Sequence, residues 1–381
     1  MSRSKPDLLS FDFDERPFTV AWELTRSCAL ACGHCRAAAQ PKRHPQELTT
    51  VEAKGVVEQL QELHPAVLVL TGGDPMMRPD LFELVAYAVK AGLRVSVSPT
   101  ATALTTKARL ARLQELGVEM IQVSLDGATP ETHDSLRGFA GTFARSLRIL
   151  RDLRDLGVPA QVGTTVTRQT VDELPAMVKL MSDHGVRMWN LFFLVPTGRG
   201  RAEEMVDAET AERTWAWLAE LSARAAFNVR TTAAPQYRRT MLMRKRERGA
   251  VQMRLTGAGY ALRGTAAGVQ TRGVNDGKGF LFIDHLGGIC PSGFLPIAAG
   301  NVRDERVADV YRRSELFRAL RDPARLRGRC GACVYADLCG GSRARAYAVS
   351  GSYLDEDPLC ALDDVEISRS ATEPSRWTAP G

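Results

Sequence analysis

Ser27-Cys28-Ala29-Leu30-Ala31-Cys32-Gly33-His34-Cys35 sets three thiols in the spacing Cys-x3-Cys-x2-Cys, directly after the apolar run Phe18–Leu24. Soft thiolates crowded this closely suit a single cubane iron–sulfur cluster. Three protein ligands leave one iron open to a substrate or cofactor, so the site reads as catalytic rather than only electron-carrying. One zinc ion with His34 or His44 as fourth ligand is the alternative, although structural zinc sites usually take their ligands from separated knuckles.

Outward from this loop, short β-rich runs alternate with amphipathic helical stretches. Strands are expected at Thr19–Leu24, Val67–Leu70, Arg94–Ser98, Met120–Leu125, Gln161–Thr167 and Met188–Val195. Helices are expected at Val51–Leu63, Leu81–Ala91, Lys107–Leu116, Phe143–Leu156 and Val171–His184, the first with Val56, Val57, Leu60 and Leu63 on one face. Gly92, Gly117, Gly157 and Gly185 each follow a helix, where a left-handed residue is favoured. Such an α/β alternation predicts parallel strands with right-handed crossovers, in an open sheet or a barrel. Residues 226–280, with the charge run Arg244–Arg248 and the Gly- and Ala-rich stretch Gly257–Gly268, read as a mostly helical or irregular bridge.

The chain of 381 residues is long enough for one large α/β domain and a smaller appendage. It has no apolar run of membrane-spanning length and no apolar stretch of a secretory signal at its N-terminus. Its eight cysteines are clustered, which argues for metal in a reducing cytoplasm rather than disulfides. A net charge of +6 admits an anionic substrate without requiring nucleic acid.

Cys28, Cys32 and Cys35, with the ring of His34 before the third cysteine, resemble the signature of radical S-adenosylmethionine (SAM) enzymes. The resemblance implies a partial (β/α)6 TIM-like barrel with its chemistry at the C-terminal strand ends. It implies that SAM chelates the open iron and is cleaved by one electron to a 5′-deoxyadenosyl radical, which takes hydrogen from the substrate. An external electron donor of flavodoxin or ferredoxin type follows. Thr71-Gly72-Gly73-Asp74-Pro75 resembles the family's Gly-Gly-Glu-Pro motif, which holds the methionine amino group. Its glycines admit a close ligand, and Asp74 is a carboxylate for an ammonium; taken alone, it is equally a tight turn. Ser124 and Asp126 stand at the fourth strand end, where polar side chains of the family meet the ribose or carboxylate of SAM; Asp126-Gly127 is equally a turn signal. Thr165 on the fifth strand is a further candidate, beside the ordinary reading of a strand threonine. Arg137 is a candidate for a carboxylate, or else for a surface ion pair.

Cys330, Cys333 and Cys339 form Cys-x2-Cys-x5-Cys, with Cys360 farther on. This resembles the SPASM or twitch extension of radical SAM enzymes. A ligand of the first auxiliary cluster of a full SPASM domain is replaced by Arg343, whereas Cys330, Cys333, Cys339 and Cys360 match the ligands of the second. The resemblance therefore implies one auxiliary 4Fe-4S cluster; a structural zinc site is the competing reading. Cys290 is left over, as a packing thiol or a catalytic candidate facing the substrate. The expected organisation is a lead-in over 1–17, the barrel over 18–225, the bridge, a small iron–sulfur domain over 281–365 and a tail over 366–381.

The cysteine pattern and Gly340-Gly341-Ser342-Arg343-Ala344-Arg345 look most like the haem and haem d1 biosynthesis branch of these enzymes. That branch implies a tetrapyrrole carboxylate side chain as substrate, with Tyr237-Arg238-Arg239, Arg343 and Arg345 as candidate carboxylate partners. Crosslink or thioether formation in a ribosomal peptide is the enzymatic alternative. A non-catalytic iron–sulfur or zinc module is the other.

Overall fold

The structure, a computed structural model, describes residues 8–247, 253–257, 260–265 and 268–363. The expected strands are present as β1 (Thr19–Glu23), β2 (Val67–Thr71), β3 (Val95–Val97), β4 (Met120–Ser124), β5 (Ala160–Val166) and β6 (Met188–Phe193). They stand side by side in chain order, all parallel. Between them run α1 (Thr50–Leu63), α2 (Leu81–Lys90), α3 (Lys107–Glu115), α4 (Pro130–Arg137), α5 (Thr142–Leu156) and α6 (Leu174–Asp183). α1 begins at a capping box in which Thr49 and Glu52 satisfy each other's backbone N–H, and buries Val56, Val57, Leu60 and Leu63. Gly92, Gly117, Gly157 and Gly185 all have positive φ, as a helix stop requires.

Two helices were not legible. α4 buries only His133 and Leu136, too few apolar positions to show a period. α7 (Ala208–Ser222) follows β6 and buries Trp215 and Leu218. The helix expected over Val171–His184 starts as a 3-10 turn, Val171–Glu173, before α6 takes over with Pro175 in its first turn.

Residues 226–280 differ from the expected helical or irregular bridge. β7 (Asn228–Thr232) pairs parallel to β6, and α8 (Gln236–Glu247) follows. Then β8 (Met253–Gly257), β9 (Tyr260–Thr265) and β10 (Gly268–Gly273) form an antiparallel three-stranded sheet. Glycine depresses strand propensity, so backbone pairing that needs no side chain was invisible in composition. The part of the charge run at Arg248, and the tail over 366–381, lie outside the described residues.

β11 (Phe280–Ile283) returns to pair parallel with β1, and β12 (Gly288–Cys290) and β13 (Gly300–Asn301) extend the sheet antiparallel. The order is β13-β12-β11-β1-β2-β3-β4-β5-β6-β7, so β7 and β13 are edges and the barrel is partial. Among the described residues no helix is long and apolar enough to cross a membrane.

The C-terminal region continues through α9 (Val307–Arg313), α10 (Glu315–Arg321), α11 (Gly328–Ala332) and α12 (Arg343–Ser350). A fully buried ion pair pins it to the sheet. Arg345 Nε and Nη2 donate to Asp357 Oδ1 and Oδ2 at 2.8 and 2.9 Å, and the same Nη2 reaches the Ala233 carbonyl beyond β7 at 2.7 Å. Ser342 N and Gln236 Nε2 also donate to Asp357, at 2.6 and 2.7 Å. Removing Asp357 strands a buried guanidinium, so Asp357→Ala is expected to cost about 3–5 kcal/mol. An unshifted denaturation midpoint would show the pair to be dispensable.

Candidate active site at the strand ends

The cysteine loop leaves the C-terminal end of β1 and is held from several sides. Cys28 N donates to Gln40 O at 2.8 Å, Gly33 N to Leu136 O at 3.0 Å and Arg199 N to Cys35 O at 3.0 Å. Arg199 Nε and Nη1 bond the carbonyls of Cys32 and Ala39 at 2.8 and 3.0 Å. Cys28, Cys32 and Cys35 gather with Leu30 and Ala39 in one small cluster. Backbone N–H groups of Leu30 and Ala39 point at Cys28 Sγ and Cys35 Sγ, at 3.4 and 3.5 Å.

Glu23, which the sequence reading passed over, closes the base of this loop. Its buried carboxylate lies 2.9 Å from Arg36 Nη1, 3.2 Å from Arg26 Nε and 3.1 Å from His285 Nδ1. Burial opposes its charge, yet Arg36, His285 and Arg26 together hold the carboxyl down to about 2. A lone Glu at a strand end carries no signal in sequence.

Gly72 and Gly73 bring two stretches of backbone together. A Cβ on Gly72 would stand 2.6 Å from Thr25 O, and one on Gly73 would stand 2.5 Å from Ser27 O. Gly73 N and Asp74 N donate to those same carbonyls, both at 2.7 Å. The glycines thus let the β2 loop lie flat on the cysteine loop. Asp74 is buried; it accepts from Met76 N at 3.0 Å, Thr100 N at 3.3 Å and Thr102 Oγ1 at 2.9 Å. Burial pushes its carboxyl up, resisted by those bonds.

Asp126 sits at the centre of the mouth. Arg137 Nη2 is 2.6 Å from its Oδ2 and His34 Nε2 is 3.8 Å away, while Thr165 N donates to Oδ1 at 2.7 Å. Burial opposes the charge, but Arg137 and the histidines hold Asp126 down to about 2. Burial pushes His34 and His133 each down to about 4. His133 Nδ1 accepts from Asp126 N at 3.0 Å, which fits a neutral ring. Arg137 also points Nη1 at Cys32 Sγ, 3.9 Å away, so it is an internal partner and not a free carboxylate binder. Ser124 stays half-buried on the same mouth, its carbonyl taken by Ser146 Oγ at 2.8 Å. Polar atoms of His34, His133, Arg137 and Arg199 are buried here without hydrogen-bond partners among the described residues. Partnerless polar atoms around three thiols fit a bound group with sulfur and oxygen acceptors.

Cys330, Cys333, Cys339 and Cys360 line one partly open cavity with Arg239 and Arg329; Cys290 does not line it. Tyr335 N, Gly341 N and Arg343 Nη2 approach the sulfurs of Cys333, Cys339 and Cys330 at 3.4, 3.5 and 3.6 Å. Four thiols around one pocket, approached by N–H groups, form the donor set of a four-thiolate metal site. Cys290 is buried on β12, where burial pushes its thiol up to about 12, as suits a packing thiol.

The arginines expected to meet a substrate carboxylate are engaged internally. Arg238 bonds the carbonyls of Leu338 and Val274, Arg239 pairs with Glu212, and Arg343 bonds those of Tyr353 and Asp355. Arg345 belongs to Asp357, and Tyr237 is buried with its OH 3.4 Å from Leu218 O. Sequence shows that a residue is cationic but not that its partner lies inside the fold.

The family model of the radical SAM superfamily matches residues 22–181. The AdoMet-dependent heme synthase of Oleidesulfovibrio alaskensis is 40% identical over 343 residues, covering 90% of this chain and 86% of that protein. The AdoMet-dependent heme synthase of Methanosarcina barkeri is 38% identical over 344 residues, covering 90% and 96%. Among solved structures, SuiB of Streptococcus suis bound to S-adenosylmethionine matches with a TM-score of 0.69 and 14% identity, over 91% of this chain and 78% of that one, a likeness of fold.

Because a methyl group on Gly73 would meet the Ser27 carbonyl, Gly73→Ala is expected to destabilise the chain by roughly 1–3 kcal/mol and to lower iron uptake at the cysteine loop. Thermal melting and iron assay check it; an unchanged midpoint would mean that the two loops separate freely.

Proposed function

This chain belongs to the radical SAM superfamily, and we propose that it acts on a carboxylate side chain of a tetrapyrrole in haem-type biosynthesis, by oxidation or decarboxylation. The observation that carries this reading is likeness along 90% of the chain to proteins named AdoMet-dependent heme synthase. Cys28, Cys32 and Cys35 would hold the 4Fe-4S cluster of the family through three of its irons, leaving the fourth for SAM. Cys330, Cys333, Cys339 and Cys360 would hold a second, fully ligated cluster, a reading supported by their shared cavity. Bound cluster and SAM supply one-electron reduction and hydrogen-atom abstraction, chemistry that no side chain offers.

The chain's own residues position and enclose. Gly72 and Gly73 set the β2 loop against the cysteine loop, and Asp74 braces that loop through Thr100 and Thr102. Asp126 orients Arg137 and His34 beside the thiols and fixes the Thr165 backbone. SAM would lie among His34, Gly72, Gly73, Asp74, Ser124, Asp126 and Thr165. An electron donor of flavodoxin or ferredoxin type would reduce the protein.

Anaerobic incubation of reduced enzyme with SAM and an iron coproporphyrin is expected to give 5′-deoxyadenosine and a lighter tetrapyrrole by mass spectrometry. SAM cleavage with every porphyrin unchanged would overturn the substrate assignment.

Reconstituted protein is expected to carry about eight irons, two 4Fe-4S clusters. A Cys28/Cys32/Cys35→Ala variant should keep about half that iron and lose SAM cleavage. Cys360→Ser should lose the second cluster while Cys290→Ser keeps it; the reverse pattern of iron content would exchange their roles.

A further inference from the structure

Among the arginines of the barrel, Arg230 stands apart. It lies in the middle of β7, where Val229 is buried on the helix-packed side. Its register partner on β6 is Asn190. The neighbours of Asn190 in β6 include Trp189, which packs on Trp217 of α7, so Asn190 and Arg230 share the opposite, concave face of the sheet. Thr232, two residues on, confirms the face by donating to Asn190 Oδ1 at 3.0 Å. That bond leaves the amide N–H2 of Asn190 as a donor beside Arg230.

Arg230 is half-buried and has no hydrogen bond or ion pair among the described residues. Burial alone pushes its guanidinium down to about 10, with no carboxylate to counter it. Among the described residues no carboxylate is placed to pair this cation, so its fork is available to an incoming anion. The registers place Ser124, Gly163, Asn190 and Arg230 in one row across four adjacent strands. Strand spacing makes that row about 14 Å long. One end is the mouth where SAM is proposed to lie. Between the ends, Gln122 and Phe192 close over Gly163, and the Phe192 ring meets Phe294 at 6.4 Å. The row therefore runs from the mouth over uncharged residues to one cation at its far end.

We propose that Arg230, assisted by Asn190, is the lumen site that receives a carboxylate of the substrate and thereby sets which side chain faces the cysteine loop. The proposal rests on the tetrapyrrole reading above, whose side chains carry carboxylates around a flat ring. Arg suits the role because its fork pairs both oxygens of a carboxylate, as a Lys ammonium does not.

The test uses iron-loaded holoenzyme and its Arg230→Gln and Arg230→Lys forms, titrated anaerobically with an iron coproporphyrin and with its tetramethyl ester. The free acid should bind about 10- to 100-fold more weakly to Arg230→Gln than to the unaltered protein, with Arg230→Lys between them. The ester should bind all three alike. The melting temperature of Arg230→Gln, without porphyrin, should be no lower than that of the unaltered protein, because a partnerless cation has been removed. Equal affinity of all three forms for the free acid would overturn the assignment while leaving the substrate reading intact. A lowered melting temperature with unchanged affinity would make Arg230 a structural group. If the unaltered protein binds neither acid nor ester, the tetrapyrrole reading falls, and this inference with it.

Discussion

The buried carboxylate of Glu23 is the point on which the assembly turns. It ends β1, and its three partners come from two places: Arg26 and Arg36 from the cysteine loop, His285 from the turn after β11. Arg36 in turn lies over the Phe282 ring, 4.6 Å from its centroid, and fills the space beside Gly293. A single charge thus joins the first strand, the thiol loop and the C-terminal strands. Breaking it would leave two guanidinium groups without their shared partner at the base of the site.

The same economy of charge recurs at the mouth and in the C-terminal region. Asp126 gathers Arg137, His34 and the Thr165 backbone, and Asp357 gathers Arg345, Gln236 and the Ser342 backbone. Each buried carboxylate collects donors from segments far apart in sequence. Such networks add little net stability, since desolvation offsets attraction. Their effect here is to give segments far apart in the chain one mutual position, which a site built from several loops needs.

Much of this was legible and much was not, for definable reasons. The six central strands and the helices between them other than α4 showed because apolar side chains repeat at the strand and helix periods. The two cysteine groups showed because thiols at these spacings have few other uses. Glu23, the internal engagement of Arg239, Arg343 and Arg345, and the packing use of Gly72 and Gly73 were hidden, since each depends on a partner supplied by the fold. β7 and the sheet of β8–β10 were hidden by glycines and charges in segments whose backbone pairs regardless.

The return of β11 to β1 explains why the two cysteine groups work within one frame. β11 pairs with β1 over Thr19–Trp22, so the C-terminal segment enters the central sheet beside the strand that launches the thiol loop. At the other edge, Arg345 reaches the backbone beyond β6 and β7 through Leu194 O and Ala233 O. The C-terminal region is therefore anchored at both flanks of the open sheet. The concave face between them is spanned by residues that the barrel alone would leave to solvent, such as Phe192 against Phe294. The sheet is left open between β7 and β13, and the C-terminal region bridges its two flanks, through β11 on β1 and through Arg345 at the carbonyls of Leu194 and Ala233.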